Sequence, residues 1–566
     1  MKFTRKQKGL FGIAFIGCLI ILSWIGLSKF YPESDTPRYL PDRIYRIIKI
    51  VFGGDPIGPS LEPEDMPWEL LAAKVLTTII LLYGGFKIIQ KIFSEQYTLL
   101  RASFRRNHHV VVGVSTKGRN LLHSLKVDNG RKGIAIERKS IHTNLPSVRK
   151  QGHTVIIGNA EDARILLEAG IKRASHLILF LENQQMVVEI IGTVQRIYAK
   201  SGSRNPIRCY AHLRNPRLID LVRNSGLQLT NGGIDLHFFN LHKIVARRFF
   251  EHVLDDFTTF DTPNIEDIKQ LIIIGYGDFA KALVLQALRV FHVSTEHRLQ
   301  IDIYSEHSER DRILFNEHYP KAHKIFPVNF HDFHGPLLPL IEQQELARLD
   351  RQTLLVVCND DDQTNLNLAF EMLNRTDSLS FSIYTLNVEG KGLRSLMQNT
   401  EETERICFFG EADETYSMDT ITGERQDILA RAIHDDYQRK IKGVASESDD
   451  YTSDWPSLPE DAKDANRAQA DHIPYKLLLT EKHIKALSGK DLMFSPGEVE
   501  RLAAIEHNRW MAHRYLSGWD YGETRDDTLK LHPSLVPWEA LSEGEKQKDR
   551  DTVLRIKDLI IPGTFR

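Results

Sequence analysis

The sequence predicts a helical membrane hairpin, followed by two α/β domains with parallel sheets and then a mainly helical domain. Three observations support this fold class. Two long apolar segments lie near the start, two glycine-rich loops each follow a short β-branched run, and a tryptophan-rich block lies near the end. The chain has 566 residues, which is too long for one hydrophobic core and favours several domains.

The composition excludes some classes of protein. Hydrophobic residues make up 42% of the chain and its net charge is −2, so no overall basic surface is available for nucleic acid. We therefore expect no nucleic-acid partner. The cysteines are scattered without a CxxC pair, which predicts a reduced compartment and no zinc site; they are Cys18, Cys209, Cys358 and Cys407.

The first 92 residues are predicted to form two transmembrane helices. Residues 9–30 are apolar up to Lys29, which is long enough to span a bilayer, and residues 70–90 form a second apolar segment. Basic residues precede the first segment and follow the second, which predicts a multi-pass protein of the inner (plasma) membrane with both termini and the large domains in the cytoplasm. A cleaved signal peptide is the alternative, but the run is long and no small-x-small site follows.

The loop between these segments, residues 31–67, has helical spacing of apolar residues over 42–52 and then Gly53-Gly54. The order of helix, short helix, glycine turn and helix resembles a two-helix potassium-channel pore. However, no Thr-Val-Gly-Tyr-Gly run is present whose carbonyls would replace the water shell of a cation. An amphipathic helix at the membrane interface is the other interpretation.

The first glycine-rich loop follows a linker, 93–107, and opens a predicted domain over 108–268. Gly113 permits a tight turn, Ser115 stands where a second glycine usually admits a pyrophosphate, and Gly118 lets the next helix pack closely. The acid that ends the second strand is placed to hold a ribose hydroxyl, and two small or polar residues follow the third strand; these are Glu137, Asn159 and Ala160. Because the Ser115 side chain narrows the space for a pyrophosphate, the alternative is that this loop binds a nucleotide weakly or has only a structural role.

The second glycine-rich loop repeats the plan in a domain predicted over 269–424. Gly275 and Gly277 keep both early glycines, and Ala280 is an accepted third position. Glu306 follows the second strand and Asp360 lies in an acidic turn after a buried strand. We expect this loop to be the better nucleotide site, for an adenine nucleotide or NAD(H). The acidic turn as a cation site is the alternative to helix capping.

These domains resemble the RCK domains, which regulate potassium conductance and are also called TrkA-N domains. The resemblance covers 108–228 and rests on the run from Gly158 to Asp162 and on Leu213-Arg214-Asn215-Pro216. It implies Rossmann-like sheets and a regulatory nucleotide that lies against the turn at Asn159, where the family usually has Asp.

The C-terminal part, 425–566 with an acidic linker at 443–465, carries a dense signature. Its elements are Glu506-His507-x-Arg509-Trp510, Gly518-Trp519-x-Tyr521-Gly522, His532-Pro533-x-Leu535-Val536-Pro537-Trp538 and Lys546-x-x-Asp549-Arg550. They resemble the RyR domain, the repeat named for ryanodine receptors, which implies a helical domain that binds a ligand or partner. The aromatic rings of Trp510, Trp519, Tyr521 and Trp538 could stack on a base. The guanidinium groups of Arg509 and Arg514 could bind phosphate. An ADP-ribose-type signal is one such ligand; a small structural core is the alternative.

Together these features predict a nucleotide-sensing membrane protein, either a ligand-gated potassium channel or a potassium-transport regulator. Potassium is then the ion, the lipid membrane a partner, and a homo-oligomer, by analogy a tetramer, the assembly. We expect no enzyme activity, because no catalytic set accompanies the loops, and no metal, because His331-x-x-His334 has no third ligand. The alternative is a non-conducting, membrane-tethered sensor or defence effector whose RyR domain detects a nucleotide-derived signal.

Overall fold

The computed structural model divides the chain into two compact units, 1–101 and 102–566. The residues that it describes are 5–30, 39–52, 66–92, 104–129, 132–201, 206–224, 233–259, 264–296, 298–333, 352–375, 382–388, 405–422, 426–441, 453–480, 482 and 492–560.

The first unit contains three helices, which are α1 (Arg5–Phe30), α2 (Tyr39–Val51) and α3 (Trp68–Ile92). Helices α1 and α3 approach closely at Gly26, where an added Cβ would lie 2.6 Å from Leu70 Cγ. The stretch Trp68–Ile89 has 22 residues and a mean hydropathy of 1.6, and it is long and apolar enough to cross a membrane. In α1, among the residues whose side chains the structure describes, Gly17–Phe30 is a shorter apolar stretch.

Helix α2 forms where the apolar spacing predicted it. It buries Ile47 and Ile50 in a small core with Leu27 and Leu70. The glycine turn that the pore comparison used, Gly53-Gly54, lies outside the described residues.

The second unit begins with a six-stranded parallel sheet and its crossover helices. The strands are β1 (His109–Val112), β2 (Ile134–Glu137), β3 (Thr154–Ile157), β4 (His176–Leu179), β5 (Ile207–His212) and β6 (Ile234–Phe239). The helices are α4 (Thr116–Asn129), α5 (Leu145–Lys150), α6 (Ala163–Glu168), α7 (Gln184–Ser201), α8 (Pro216–Asn224) and α9 (Leu241–Thr259). The strand order is β3-β2-β1-β4-β5-β6, the order of a Rossmann sheet.

A second six-stranded parallel sheet follows, in the order β12-β11-β10-β7-β8-β9. Its strands are β7 (Gln270–Ile274), β8 (Gln300–Ser305), β9 (Val328–Asp332), β10 (Thr353–Val357), β11 (Ile383–Leu386) and β12 (Ile406–Phe409). The helices that accompany it are α10 (Asp278–Val290), α11 (Ser308–His318), α12 (Asp362–Arg375), α13 (Ala412–Thr415) and α14 (Met418–Thr422). Counted from β7, this is the same order as in the first sheet, so the two domains share one topology.

The C-terminal region is mainly helical. Its elements are α15 (Ile428–Ile441), α16 (Glu460–Leu479), α17 (Pro496–Leu516), the short strands β13 (Asp520–Tyr521) and β14 (Leu531–His532), α18 (Glu543–Leu554) and α19 (Ile556–Leu559). The linker predicted over 443–465 is wrong at its end, because α16 already begins at Glu460. The acidic residues that suggested a solvated linker instead face basic side chains: Asp464 Oδ2 lies 2.6 Å from Lys243 Nζ on α9.

One hydrophobic core joins the second sheet to the C-terminal helices. Phe249 of α9, Leu288 of α10, Tyr475 of α16 and Ile505 of α17 all belong to it. A separate core, which includes Val111, fills one face of the first sheet. The region resembling the RyR domain is therefore packed onto the second α/β domain and shares a hydrophobic core with it.

Candidate nucleotide site at the paired glycine loops

The first glycine loop is held by backbone contacts that exclude larger residues. Gly113 has φ +92°, and a Cβ there would lie 2.4 Å from the carbonyl oxygen of Phe180. At Gly118 an added Cβ would lie only 2.0 Å from the carbonyl oxygen of Gly113. The sequence analysis expected Gly118 to bring helix and sheet together; the structure shows that it brings α4 against its own loop and, with Val111 Cγ1 3.7 Å from the same Cβ, also close to β1.

Glu137 lies at the end of β2 and reaches the same loop. Its carboxylate accepts hydrogen bonds from the backbone N–H of Val114 at 2.9 Å and of Lys139 at 3.1 Å. A carboxylate here is placed beside the loop, where a ribose hydroxyl is held in Rossmann sheets. Asn159 accepts from the N–H of Glu161 at 3.2 Å, and Ala160 is buried beside it.

The second glycine loop has a carboxylate packed against it. Gly275 has φ +96°, and at Gly277 an added Cβ would lie 2.1 Å from Asp360 Oδ1. Asp360 therefore borders the loop where the sequence analysis placed a phosphate path. Ala280 is fully buried at the position equivalent to Gly118. The second loop therefore has room for a Cβ atom at this position, whereas the first loop does not.

The sheet register corrects the equivalence of Glu306 with Glu137 that the repeated plan of the two domains suggested. The N–H of Gly113 bonds to the carbonyl of Ile136 and that of Gly275 to Tyr304, so the counterpart of Glu137 is Ser305. Glu306 is one residue too late to hold a ribose in the same way.

The same register places Asp360. The N–H of Phe180 bonds to the carbonyl of Val112 and that of Cys358 to the carbonyl of Ile274, so Asp360 corresponds to Glu182, after the fourth strand.

The two glycine loops are connected by side chains that the sequence analysis did not select. Arg214, which follows β5 of the first sheet, places Nη1 2.5 Å from Oδ2 of Asp278 in the first turn of α10. Arg214 is part of the Leu213–Pro216 motif, which was a signal for the family but not for this contact.

Lys117 occupies the first turn of α4 and interacts with charges of both loops. Burial, and then the charge of Arg214, lower its pKa, whereas Glu182, Asp278 and Asp360 act in the opposite direction. The N-terminal ends of α4 and α10 are thereby coupled electrostatically around one lysine.

Two histidines pack beside this cluster. Burial, and then the charge of Lys117, lower the pKa of His242 to about 4 and that of His212 well below its usual range. The His242 ring contacts Phe279 of the second loop at 4.5 Å between centroids. Both imidazoles are therefore neutral at pH 7, and the positive charge near the loops comes from Lys117 and Arg214.

In the RyR-like region, two of the four selected aromatic residues flank Arg514. Its guanidinium carbon lies 4.8 Å from the ring centre of Trp519 and 5.6 Å from that of Trp510. Trp519 is 6% exposed, whereas Tyr521 is 52% exposed and Trp538 lies under Lys546 and Arg550. These contacts are those of a packed aromatic core with Tyr521 at its edge.

The guanidinium group of Arg509 is not available to bind phosphate, as the sequence had suggested. Its Nη2 bonds to Glu506 Oε1 at 2.8 Å and its Nε to Oε2 at 3.0 Å, and both side chains are buried. Lys476 Nζ reaches the same carboxylate at 2.7 Å. The two cations hold the pKa of Glu506 far below its usual range despite its burial. The guanidinium is therefore committed to a buried ion-pair network.

The His331 motif has a structural partner. His331 Nε2 lies 3.0 Å from Asp302 Oδ1, and His334 lies outside the described residues. Within the part of the chain that the structure describes, no three His, Cys, Asp or Glu side chains are grouped to hold a metal.

Comparison with known proteins identifies two regions of the chain. A family model described as the TrkA-N domain matches residues 109–230, and a model described as the RyR domain matches residues 497–562. The latter begins at α17, so α15 and α16 lie before the matched region although the sequence resemblance was drawn from 425.

Solved structures of GsuK align over much of the chain. GsuK bound to ADP is 17% identical with a TM-score of 0.40, covering 74% of this chain and 96% of that one. The GsuK channel bound to NAD is 14% identical with a TM-score of 0.37, covering 75% and 84%. With the two matched models and the repeated sheet order, this protein is a chain that carries a TrkA-N domain in its first α/β half and an RyR domain in its C-terminal helical region.

Proposed function

We propose that this chain is a nucleotide-sensing membrane protein that regulates potassium transport, with the nucleotide as regulatory ligand and not as substrate. The observation that carries the proposal is the connection between the two glycine loops. Arg214 of the TrkA-N domain bonds to Asp278 at the start of α10, and Lys117 interacts with carboxylates of the second loop.

This connection supports regulation because an anionic ligand at either loop would change the same set of charges. A phosphate near α4 or α10 would compete with Asp278 and Asp360 for Lys117 and Arg214, and would be favoured by both helix N-termini. Binding at one loop would then alter affinity at the other, and the effect is reciprocal. ADP and NAD, the molecules bound in the GsuK structures, are the first ligands to test.

In this proposal, nucleotide binding changes the state of the membrane-spanning part of the chain. Trp68–Ile89 has the length and hydropathy of a transmembrane helix. We place it in the plasma membrane with the α/β domains in the cytoplasm, and the linker 93–107 joins the helix to β1. A ligand-gated channel assembled from several copies is the finer form of the proposal, with potassium as the conducted ion.

The test is reconstitution of the full chain in liposomes loaded with potassium. We expect potassium efflux that changes with ADP or NAD, and a ligand dependence that is lost in Arg214→Ala. Arg164→Ala is the matched control, because Arg164 is 84% exposed and pairs only locally with Asp162. Absence of potassium flux under both ligands, with nucleotide binding retained, would refute the transport proposal and favour a non-conducting sensor.

A further inference from the structure

A cavity of about 830 Å³ lies between β6, α9 and the C-terminal helices, and Arg214 is one of its wall residues. Its wall is formed by side chains of α9, α10, α15 and α16 and by the segment 453–459. Pockets for drug-sized ligands and cofactors have volumes of about 300–1,000 Å³. The cavity therefore has room for a molecule the size of a nucleotide.

Most charges of the wall are already paired with one another. Arg247 bonds to Asp471 at 2.7 Å and to Asp427 at 3.0 Å, and Arg467 bonds to Asp427 at 2.7 Å. Lys243 lies 2.6 Å from Asp464. The other carboxylates of the wall also have partners: Glu460 lies 3.3 Å from Arg467, Asp235 lies 2.8 Å from His237, and Asp220 accepts from the backbone N–H of Glu460.

Two guanidinium groups of the wall are poorly compensated. Arg289 has its nearest carboxylate oxygen, of Asp464, at 3.8 Å, and its buried Nε has no hydrogen-bond partner among the described residues. The buried Nε of Arg431 likewise has no partner there, and its guanidinium lies 5.9 Å from the Trp455 ring centre. Buried donors without partners cost free energy, so an anion that accepts from both would be stabilised.

A neutral side chain of the same wall is also unsatisfied. The amide of Gln426 has neither its Nε2 nor its Oε1 bonded to another described residue, although both atoms are buried. An amide presents one donor and one acceptor side by side, which matches the edge of a nucleobase.

We propose that this cavity is a second nucleotide site, in which Arg289 and Arg431 bind the phosphate and Gln426 binds the base edge. Trp455 holds Arg431 in position through its ring. The cavity wall includes Arg214, which bonds to Asp278 of the second loop, but none of the residues selected for nucleotide binding at the glycine loops or in the RyR domain. The inference does not rest on the proposed function. A ligand here would contact the first α/β domain through α9 and the C-terminal region through α15 and α16.

The test uses the full chain in detergent with two photoreactive probes, 8-azido-ADP and 8-azido-GDP, followed by peptide mapping. We expect one of them to label peptides that contain 426–431 or 453–459. The concentration for half-maximal labelling of these peptides should rise about tenfold or more in Arg431→Gln. Arg439→Gln, a 73% exposed arginine on the same helix, is the matched control and should leave labelling unchanged.

Several results would overturn the inference. Labelling confined to peptides of the two glycine loops, labelling of the cavity by neither probe, or equal effects of Arg431→Gln and Arg439→Gln would each do so. Circular dichroism and the urea midpoint of Arg431→Gln separate loss of binding from loss of folding, and Gln426→Leu provides a second variant. Failure of potassium flux leaves cavity labelling unaffected, so the two proposals fail independently.

Discussion

Gly118→Ala should destabilise the protein although alanine is the better helix former. Gly118 is the third residue of α4, and in an ordinary helix the change from glycine to alanine stabilises by about 1 kcal/mol. Here the new Cβ would lie 2.0 Å from the carbonyl oxygen of Gly113, an atom of the backbone that no rotamer change can move. Overpacking of this kind costs about 1–3 kcal/mol.

The matched control is Gly192→Ala within α7. Its Cβ would meet only the end of the Arg196 side chain, at 3.7 Å, so we expect the ordinary gain. Combining the two effects, the free energies of unfolding of the variants should differ by about 2–4 kcal/mol. Urea unfolding of the full chain in one detergent, followed by circular dichroism, measures this difference.

The same variant should weaken nucleotide binding at the first loop, because displacement of α4 moves its N-terminal N–H groups away from the phosphate. Calorimetry with ADP and NAD tests this. If Gly118→Ala were as stable as Gly192→Ala, the close contact between Gly118 and Gly113 would be refuted, and with it our account of the loop.

Three further predictions concern the charges of the second unit. Glu506→Gln leaves Lys476 and Arg509 without their buried counter-charge and should lower the free energy of unfolding, measured in urea, by about 3–5 kcal/mol. The exposed Glu543→Gln is the control and should lower it by less than about 1 kcal/mol; similar losses for both variants would contradict the buried network. Burial lowers the pKa of His153 to about 4, below its value near 6.5 in the unfolded chain. The contribution of this histidine to the free energy of unfolding is therefore full above pH 6.5 and should fall by about 1.4 kcal/mol per pH unit between pH 6.5 and 4. His153→Asn should lose this part of the pH dependence, and an unchanged pH dependence would contradict the prediction. Arg214→Ala breaks the half-exposed ion pair with Asp278 and should change the free energy of unfolding by less than about 1 kcal/mol. It should weaken ADP or NAD binding about fivefold or more. Equal affinities of Arg214→Ala and Arg164→Ala would contradict a role of Arg214 in connecting the two glycine loops.

The fold was largely predictable because its signals are local. Each glycine loop lies between a β-branched strand and an amphipathic helix, so β1, α4, β7 and α10 were expected within a few residues of where they occur. The identical order of the two sheets follows once both domains are assigned to the Rossmann type.

The site was less predictable because it depends on register and on distant residues. Glu306 was selected as the first acid after a strand, but β8 extends to Ser305 because that residue pairs with Asp332 of β9. No local pattern reports where a neighbouring strand ends. The contact of Arg214 with Asp278 joins two domains, and the sequence motif around Arg214 does not indicate its partner.

The start of helix α16 was missed for the same reason. An acidic, weakly periodic segment is typical of a solvated linker, yet Asp464 lies 2.6 Å from Lys243, a residue more than two hundred positions earlier in the chain. The segment became ordered because its charges have partners that only the tertiary fold supplies. Arg509 shows the reverse error, since a motif arginine that suggested ligand binding is used within the core.

The core shared by the second sheet and the C-terminal helices has a consequence for how such proteins are assembled from modules. Tyr475, Ile505 and Ile556 are buried in a cluster that also contains Phe249 and Leu288. A RyR domain excised from this chain would expose that surface to water, and one transplanted onto another scaffold would need a matching counterpart. A boundary that leaves this core whole therefore lies before α9 and not at β7 or α15, so α9, the second α/β domain and the helices behind it would have to be moved together.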